Sequence, residues 1–389
     1  MDYSLTSEQE MLRKTVREFA EKVIKPKVFE LDQKEQFSPE ITQKMGEMGF
    51  LGATCDPKYG GQGLCTLSYI IIVEELARVD AAQAATVAAH NSLGIGPIEK
   101  FGSGEQKKKY LPALAAGKKL WSFGLTEAGA GSDAANSKTT ASLKNGKWAI
   151  NGSKIFITNG ATKMTDGCTV QTVTGKGKNG QNEISCILVD QNTKGFAAKE
   201  MHHKMVWRAS NTAELYFDHV EVPEGNLLGK RGDGFKQMLA TLDAGRLGIA
   251  AMGLGGAEGA FEAALKYAKE RKAFGKPISA FQVNAFKLAD CATEIEAARN
   301  LLYKACWLKD QKKDFKLAAA QAKLFCSEVM YRVVNHAVQI HGGYGLVEEY
   351  PAAKFYRDQK LLEIGEGTSE IQRLVISRAL GCYEDGGGG

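Results

Sequence analysis

A carboxylate set between two glycines is the most suggestive short pattern in this chain. In EIGEGTSEIQR, from Glu363 to Arg373, Glu366 stands between Gly365 and Gly367, where backbone freedom and its entropic cost are greatest. Glu363 or Glu370 would supply a carboxylate at less cost, so the backbone at Glu366 must bend or come close to something. A second candidate is FGLTEAGAGSDAANS, from Phe123 to Ser137. Its Gly129, Ala130 and Gly131 leave backbone N–H groups open, and Thr126, Ser132 and Asp133 add polar groups, so the segment suits a phosphate or a planar polar ring as well as a plain connecting turn. In ERKAFGKPISAFQ, Arg271 and Phe274 precede a break at Gly275 and Pro277. A cation beside an aromatic there could hold an anion from a neighbouring subunit, although a solvated loop is the ordinary use of such a site. Asp243 and Arg246 in LDAGRLGIAA read by themselves as an exposed charge pair.

Several chemistries are excluded. No G-K-[ST] follows the Gly131 region, so it is not a nucleotide P-loop, and it does not open the helix of a βαβ unit. GLGGAEGA, from Gly253 to Ala260, imitates a dinucleotide fingerprint but lies inside a helical run with no strand before it, which points to close helix packing. The six histidines form no metal-binding spacing, no G-x-S-x-G elbow occurs, and no metal is expected. Net charge of +5 over 389 residues fits an anionic ligand but lacks the clustered basic signature of a nucleic-acid binder. The eight cysteines are scattered without a C-x-x-C pair, so free thiols in a reducing compartment are expected. No run is apolar enough for a membrane span, and the N-terminus lacks a signal peptide's pattern. The expected location is the cytoplasm, or the mitochondrial matrix if a transit segment has been removed.

Three regions must position these motifs. Residues 1–120 have helical periodicity, with Thr6 or Ser7 as the first N-cap. Residues 121–228 are strand-like, with Asn-Gly at Asn145-Gly146, Asn151-Gly152, Asn159-Gly160 and Asn179-Gly180 as hairpin signals; a β sandwich or barrel is expected. Residues 229–389 return to long helices, as an antiparallel bundle followed by a glycine tail. Phe286, Ala289, Ala292 and Ile295 mark an apolar stripe there. The fold class is α+β, mainly α.

The motifs occur in a telling order: KMGEMGFLG with YGGQG, FGLTEAGAGSD, NGSKIFITN, ERKAFGKPI, QIHGGYG with EEYPAAKFYRD, then EGTSEIQR. This succession resembles the acyl-CoA dehydrogenase family over residues 3 to 382, and HNSLGIGPIEKFGSGEQKKKYLPAL is similar to its short-chain, butyryl-CoA-type members. The resemblance implies an N-terminal helical domain, a middle β domain, a C-terminal four-helix bundle, bound FAD and a homotetramer. It implies that Phe123, Leu125, Thr126, Gly131 and Ser132 line the flavin and that Phe156, Ile157 and Thr158 flank its ring. Arg271, Phe274 and Gln282, with Gln339, Gly342 and Gly343, would grip its adenine and pyrophosphate end across a subunit contact. Thr368, Ser369 and Glu370 would complete the cofactor contacts. Ser132, Asp243 and Arg246, with Gly365 and Gly367, would meet the acyl-CoA, Gly367 letting the chain pass close to the thioester, and Glu366 would be the base that takes the α-proton before a β-hydride leaves to the flavin, giving a trans-2-enoyl-CoA. Electrons would pass to an electron-transferring flavoprotein.

Departures from the family pattern bear on the substrate. Gly365 stands where members commonly carry Tyr, which implies a roomier acyl pocket open to branched, cyclic or aromatic groups beside butyryl. Ala84 stands where glutaryl-type members place an Arg, which disfavours a dicarboxylic substrate. Ala244 and Gly245 stand where isovaleryl and long-chain types carry their base, which leaves Glu366. An enoyl-CoA reductase or an oxidase on the same scaffold is the alternative reading, and a DNA-associated member with little turnover is a remoter one.

Overall fold

Local sequence chemistry explains where the chain starts and stops its elements. The computed structural model describes residues 4–177 and 180–383. Seven helices come first: α1 (Ser7–Phe19), α2 (Val28–Gln33), α3 (Pro39–Glu47), α4 (Thr66–Ala77), α5 (Ala81–Ala89), α6 (Gly96–Phe101) and α7 (Gly104–Ala115). Thr6 caps α1, accepting a hydrogen bond from Gln9 N–H while the Gln9 side chain accepts one from Thr6 N–H; Ser103 and Gln106 repeat this box at α7. Seven strands follow: β1 (Leu120–Gly124), β2 (Thr140–Lys144), β3 (Lys147–Thr158), β4 (Thr165–Lys176), β5 (Asn182–Asp190), β6 (Phe196–Glu200) and β7 (Thr212–Pro223). The chain then forms α8 (Gly234–Glu270), a two-stranded ribbon of β8 (Lys272–Ala273) and β9 (Lys276–Pro277), and the long helices α9 (Gln282–Asp310) and α10 (Lys316–His341). It ends in α11 (Pro351–Asp358), α12 (Lys360–Ile364) and α13 (Ser369–Ala379).

The strands make one mixed sheet in the order β1-β4-β2-β3-β7-β6, with β5 also paired to β4. Pairings of β4 with β1 and with β2 are parallel, so the sheet is not a simple run of hairpins. Of the four Asn-Gly signals, Asn145-Gly146 makes the tight β2–β3 hairpin, with Lys144 opposite Lys147 and positive φ at both turn residues. Asn151-Gly152 lies within β3, where the pairing with β7 shifts register, so it marks an irregularity in a strand and not a turn. Asn159-Gly160 follows the end of β3, and Asn179 lies outside the described residues.

The helical core is continuous between the N-terminal helices and α8, α9 and α10. The small residues of GLGGAEGA do what their context in a helix suggests. A Cβ on Gly255 would collide with the Glu74 carbonyl oxygen of α4, one on Gly259 with the Arg78 carbonyl oxygen, and one on Gly253 would lie 2.9 Å from the Cys326 carbonyl oxygen of α10. Of the stripe expected on α9, only Ile295 is buried. Phe286 is 62% exposed and Ala289 and Ala292 face outward, whereas Leu288, Cys291, Ile295, Ala298 and Leu302 are inside. This helix is apolar on two sides, so spacing by itself does not tell the core face from the outer one.

No described helix is long and apolar enough to cross a membrane. Because α4 and α8 pack backbone to backbone, Gly255→Ala is expected to cost about 1–3 kcal/mol through overpacking. Gly225→Ala, whose Cβ would meet nothing within 4 Å, is expected to stay within about 0.5 kcal/mol of the parent. Thermal or urea unfolding of the two variants checks the contrast.

Candidate active site

Glu366 sits in the turn between α12 and α13, and the turn is strained at the glutamate itself. Its φ is +51°, in the left-handed region that a side chain of this size seldom adopts, and Gly367 follows at +92°. Gly365 has φ −68° and ψ 151°, a conformation open to any residue. The two glycines therefore differ: Gly367 is required by the backbone, and a Cβ there would lie 2.7 Å from Gln372 Nε2, whereas a Cβ on Gly365 would meet only the Leu361 carbonyl oxygen at 3.3 Å and Leu361 Cγ at 3.9 Å. Downstream, the Thr368 hydroxyl accepts from Ile371 N–H and starts α13, so the turn is fixed on that side by a helix cap.

The strain aims the carboxylate inward. Although Glu366 as a residue is half-buried, its Oε2 is shut from solvent and has no hydrogen-bond partner. Gly245 of α8 faces it so closely that a Cβ there would collide with Oε2. The position at which other members were expected to carry a base thus opens onto the same space as Glu366, and here it is left empty of side chain. Burial pushes the Glu366 pKa up to about 7, opposed by the positive charges of Lys323 and Arg246. Arg246 and Asp243, read from sequence as an exposed pair, form a bond of 2.8 Å beside this carboxylate with Arg246 buried and Asp243 partly so, because α8 lies inside the bundle.

Two residues here were not singled out from the sequence. Lys323 of α10 is fully buried and its Nζ donates to the Gly367 carbonyl at 2.8 Å, which Gln372 Nε2 also reaches at 2.8 Å. The available signal was a lysine in the apolar register of AAAQAKLFC, with Ala319, Ala320 and Cys326 of the same face buried around it. Tyr69 of α4 is also buried, donates its hydroxyl to the Ala88 carbonyl at 3.2 Å, and has its phenol pKa pushed up by burial and by the Glu366 charge. Nothing in LSYIIIVEEL distinguishes it from a packing tyrosine.

The other candidate residues fall into two further groups. Phe123 is buried at the end of β1, Leu125 and Thr126 follow it half-buried, and Gly131 and Ser132 lie on an exposed loop. Beneath that loop, buried Lys154 of β3 donates to the Leu125 carbonyl at 3.1 Å and to Glu127 at 2.6 Å, while Glu127 also accepts from the Ser137 hydroxyl and from the backbone of Lys138 and Thr139. Burial favours the neutral form of Glu127, but these donors outweigh it and hold the carboxyl down to about 2. Nearby in sequence to Lys154, Phe156 is 61% exposed at φ +62°, Thr158 is half-buried, and the Ile157 side chain belongs to the β-domain core.

In the remaining group, Arg271, Gly342 and Gly343 line a cleft of about 450 Å³ with Tyr267, His341 and Tyr344. Phe274, at the tip of the β8–β9 ribbon, is 95% exposed, and Gln282 and Gln339 are exposed outside the cleft lining. Ser369 is buried with an unpartnered hydroxyl, and Glu370 is exposed. Among the described residues no cluster of His, Cys, Asp or Glu could hold a metal ion. An extended flavin nucleotide fits what is left open. Gly129, Gly131, Gly342 and Gly343 have nothing within 4 Å of a Cβ direction, and a large ring at Phe156 is held bare in a strained conformation.

One consequence can be measured without substrate. A Glu whose folded pKa is above its ordinary value stabilises the fold below the ordinary value and loses that contribution as pH rises through the folded one. For Glu366 the window runs from about 4.5 to about 7, a difference of about 3 kcal/mol once the group is fully ionised. Glu366→Gln is expected to raise the unfolding temperature at pH 8 and to leave it nearly unchanged at pH 4.5, as read by differential scanning calorimetry.

Comparison with known proteins identifies the family to which this three-region chain belongs. Models of the acyl-CoA dehydrogenase N-terminal, middle and C-terminal domains match residues 6–118, 122–220 and 232–381. A probable acyl-CoA dehydrogenase of Bacillus subtilis is 48% identical over 380 residues, covering 98% of this chain and all of the relative. The structure of butyryl-CoA dehydrogenase from Megasphaera elsdenii superposes with a TM-score of 0.94 at 45% identity, over 98% of this chain and all of that one. A chain in a structure of the electron transferring flavoprotein of Acidaminococcus fermentans matches with a TM-score of 0.94 at 48% identity, over 98% of this chain and 99% of that one. A carboxylate held out of water on a strained turn, within a helical–β–helical chain matched along nearly its whole length, places this protein in the acyl-CoA dehydrogenase family of oxidoreductases.

Proposed function

We propose that this chain desaturates an acyl-CoA thioester between its α and β carbons, with Glu366 as the base. The observation that carries the reading is the Glu366 carboxylate: buried, unpartnered at Oε2, and raised to a pKa of about 7, where a base is strong yet still ionised near neutrality. An α-proton next to a thioester is weakly acidic, so a desolvated and aimed carboxylate is what its removal needs. Glu366 Oε2 takes the α-proton, the Cα–H electron pair forms the new double bond, and the β-hydrogen leaves with its electron pair as a hydride. Phe123 to Ser132, with Phe156 and Thr158, would hold the FAD, the Arg271, Gly342 and Gly343 cleft would grip its adenine and pyrophosphate end across a subunit contact, and the bound flavin would supply the hydride acceptor. Arg246, paired with Asp243, keeps positive charge beside the base. The likeness to a chain in an electron transferring flavoprotein structure supports that protein as the onward electron acceptor.

The acyl group is short, or short with a branched, cyclic or aromatic end. Support comes from Gly365, whose backbone conformation does not require glycine, so its missing side chain leaves space. Ala84 is fully buried and carries no charge for a second carboxylate. Self-association into a homotetramer is supported by the bare Phe274 and by the outer face of α9, where Val283 is 61% and Phe286 is 62% exposed.

The flavin absorption of the purified protein is expected to bleach anaerobically on adding a saturated acyl-CoA, and Glu366→Gln is expected to slow that bleaching by at least about a thousandfold. Bleaching of Glu366→Gln at the parent rate would remove the glutamate from the mechanism. Gly365→Tyr is expected to move kcat/KM toward butyryl-CoA and away from branched, alicyclic and arylalkyl thioesters by about tenfold or more.

A further inference from the structure

Lys323 is a cation that helix α10 has no local reason to bury. It is 0% exposed, makes no ion pair within 4 Å among the described residues, and its Nζ donates to the backbone carbonyl of Gly367. Burial lowers its pKa to about 8, so the ammonium is still protonated at neutral pH, and the Glu366 charge is the strongest influence opposing that fall. A buried, nearly unpaired ammonium is costly and persists where it serves something else. The carbonyl it holds belongs to the residue directly after Glu366, in the segment where φ is positive twice running. Gln372 Nε2 holds the same carbonyl from α13, so a strained turn is tied from two helices at one oxygen.

We infer that Lys323 is the positioning residue for the base: its ammonium pins the Gly367 carbonyl, thereby fixes the turn that aims Glu366, and supplies the positive charge that lets the carboxylate ionise out of water. This rests on Glu366 being the base. The charged and titratable groups facing the carboxylate are Arg246 with its partner Asp243 on α8, Lys323 on α10 and the Tyr69 phenol on α4, while Glu363 and Glu370 lie to either side along the chain. Arg246 is shared with Asp243, whereas Lys323 has no carboxylate in hydrogen-bond contact. Its charge therefore acts on Glu366 with less to offset it.

The test uses the flavin-loaded enzyme and three variants. Lys323→Gln keeps a hydrogen-bond donor without charge, Lys323→Met removes both, and Lys323→Arg keeps the charge. The rate of flavin bleaching by a saturated acyl-CoA is measured in single turnovers from pH 5.5 to 9.5. In Lys323→Gln and Lys323→Met the rising limb is expected to move at least about one pH unit higher, lowering the rate at pH 7 about fivefold and recovering in alkali, and Lys323→Arg is expected to restore the parent midpoint. A parent midpoint in Lys323→Gln overturns the inference, whether the rate is unchanged or uniformly lower, because a purely structural lysine would not move it. If Lys323→Gln sheds its flavin, the same midpoint is read from unfolding temperature against pH, with and without Glu366→Gln, and coincidence with the parent again overturns it. Failure of the base assignment shows separately, as undiminished bleaching in Glu366→Gln alone.

Discussion

A carboxylate carried from water into a protein interior loses several kcal/mol of solvation, of which nearby cations restore only a part. At Glu366 the compensation is left incomplete: two cations stand near, yet Oε2 has no donor of its own. Most of the surrounding architecture serves this condition. Helix α8 supplies Gly245, without which the carboxylate would have no room, and Arg246 one step further round the same turn. Helix α10 supplies Lys323, α13 supplies Gln372, and the left-handed turn between α12 and α13 directs the side chain among them. Full hydrogen bonding of Glu366 would make the fold more stable and the carboxylate a weaker base.

The β domain solves the complementary problem. Glu127 is buried too but is surrounded by donors, and its carboxyl is held strongly acidic. Its task is geometric, since together with Lys154 it fastens the segment after β1 to the sheet and leaves Gly129 and Gly131 unobstructed above. Glu127 and Glu366 therefore have opposite chemistry, set apart by how many N–H and O–H groups each was given.

What the sequence disclosed follows from how local each feature is. The change from helical to strand-like to helical texture, the caps at Thr6 and Ser103 and the Asn145-Gly146 turn are written within a few residues and could be read directly. Glu366 was marked by its neighbours, although the glycines suggested a flexible bend where the structure has a strained residue. Features that depend on a distant partner were not legible. Asp243 and Arg246 looked like surface charges because nothing in LDAGR shows that this stretch of α8 is enclosed. Lys323 and Lys154 resemble solvent lysines until α13 and Glu127 are brought beside them, and α9 offers two apolar faces of which only packing selects one.

Helix α8 is 37 residues, about 55 Å end to end. Along that length it meets the Ser185 backbone of β5 at Gly234, Glu366 at Gly245, the backbone of α4 at Gly255 and Arg78 at Gly259. These contacts fall within about 80° of one another around the helix, since each residue advances it by about 100°. Insertion or loss of a single residue between Gly245 and Gly255 would turn one end of the helix away from every partner of the other. Sequence drift in this protein should therefore proceed by substitution along α8, with changes of length confined to places such as the β2–β3 turn, where a Cβ on Gly146 meets nothing. The spacing from the base pocket to the inter-helix contact is in that sense a ruler, and chains that keep the chemistry should keep its count of residues.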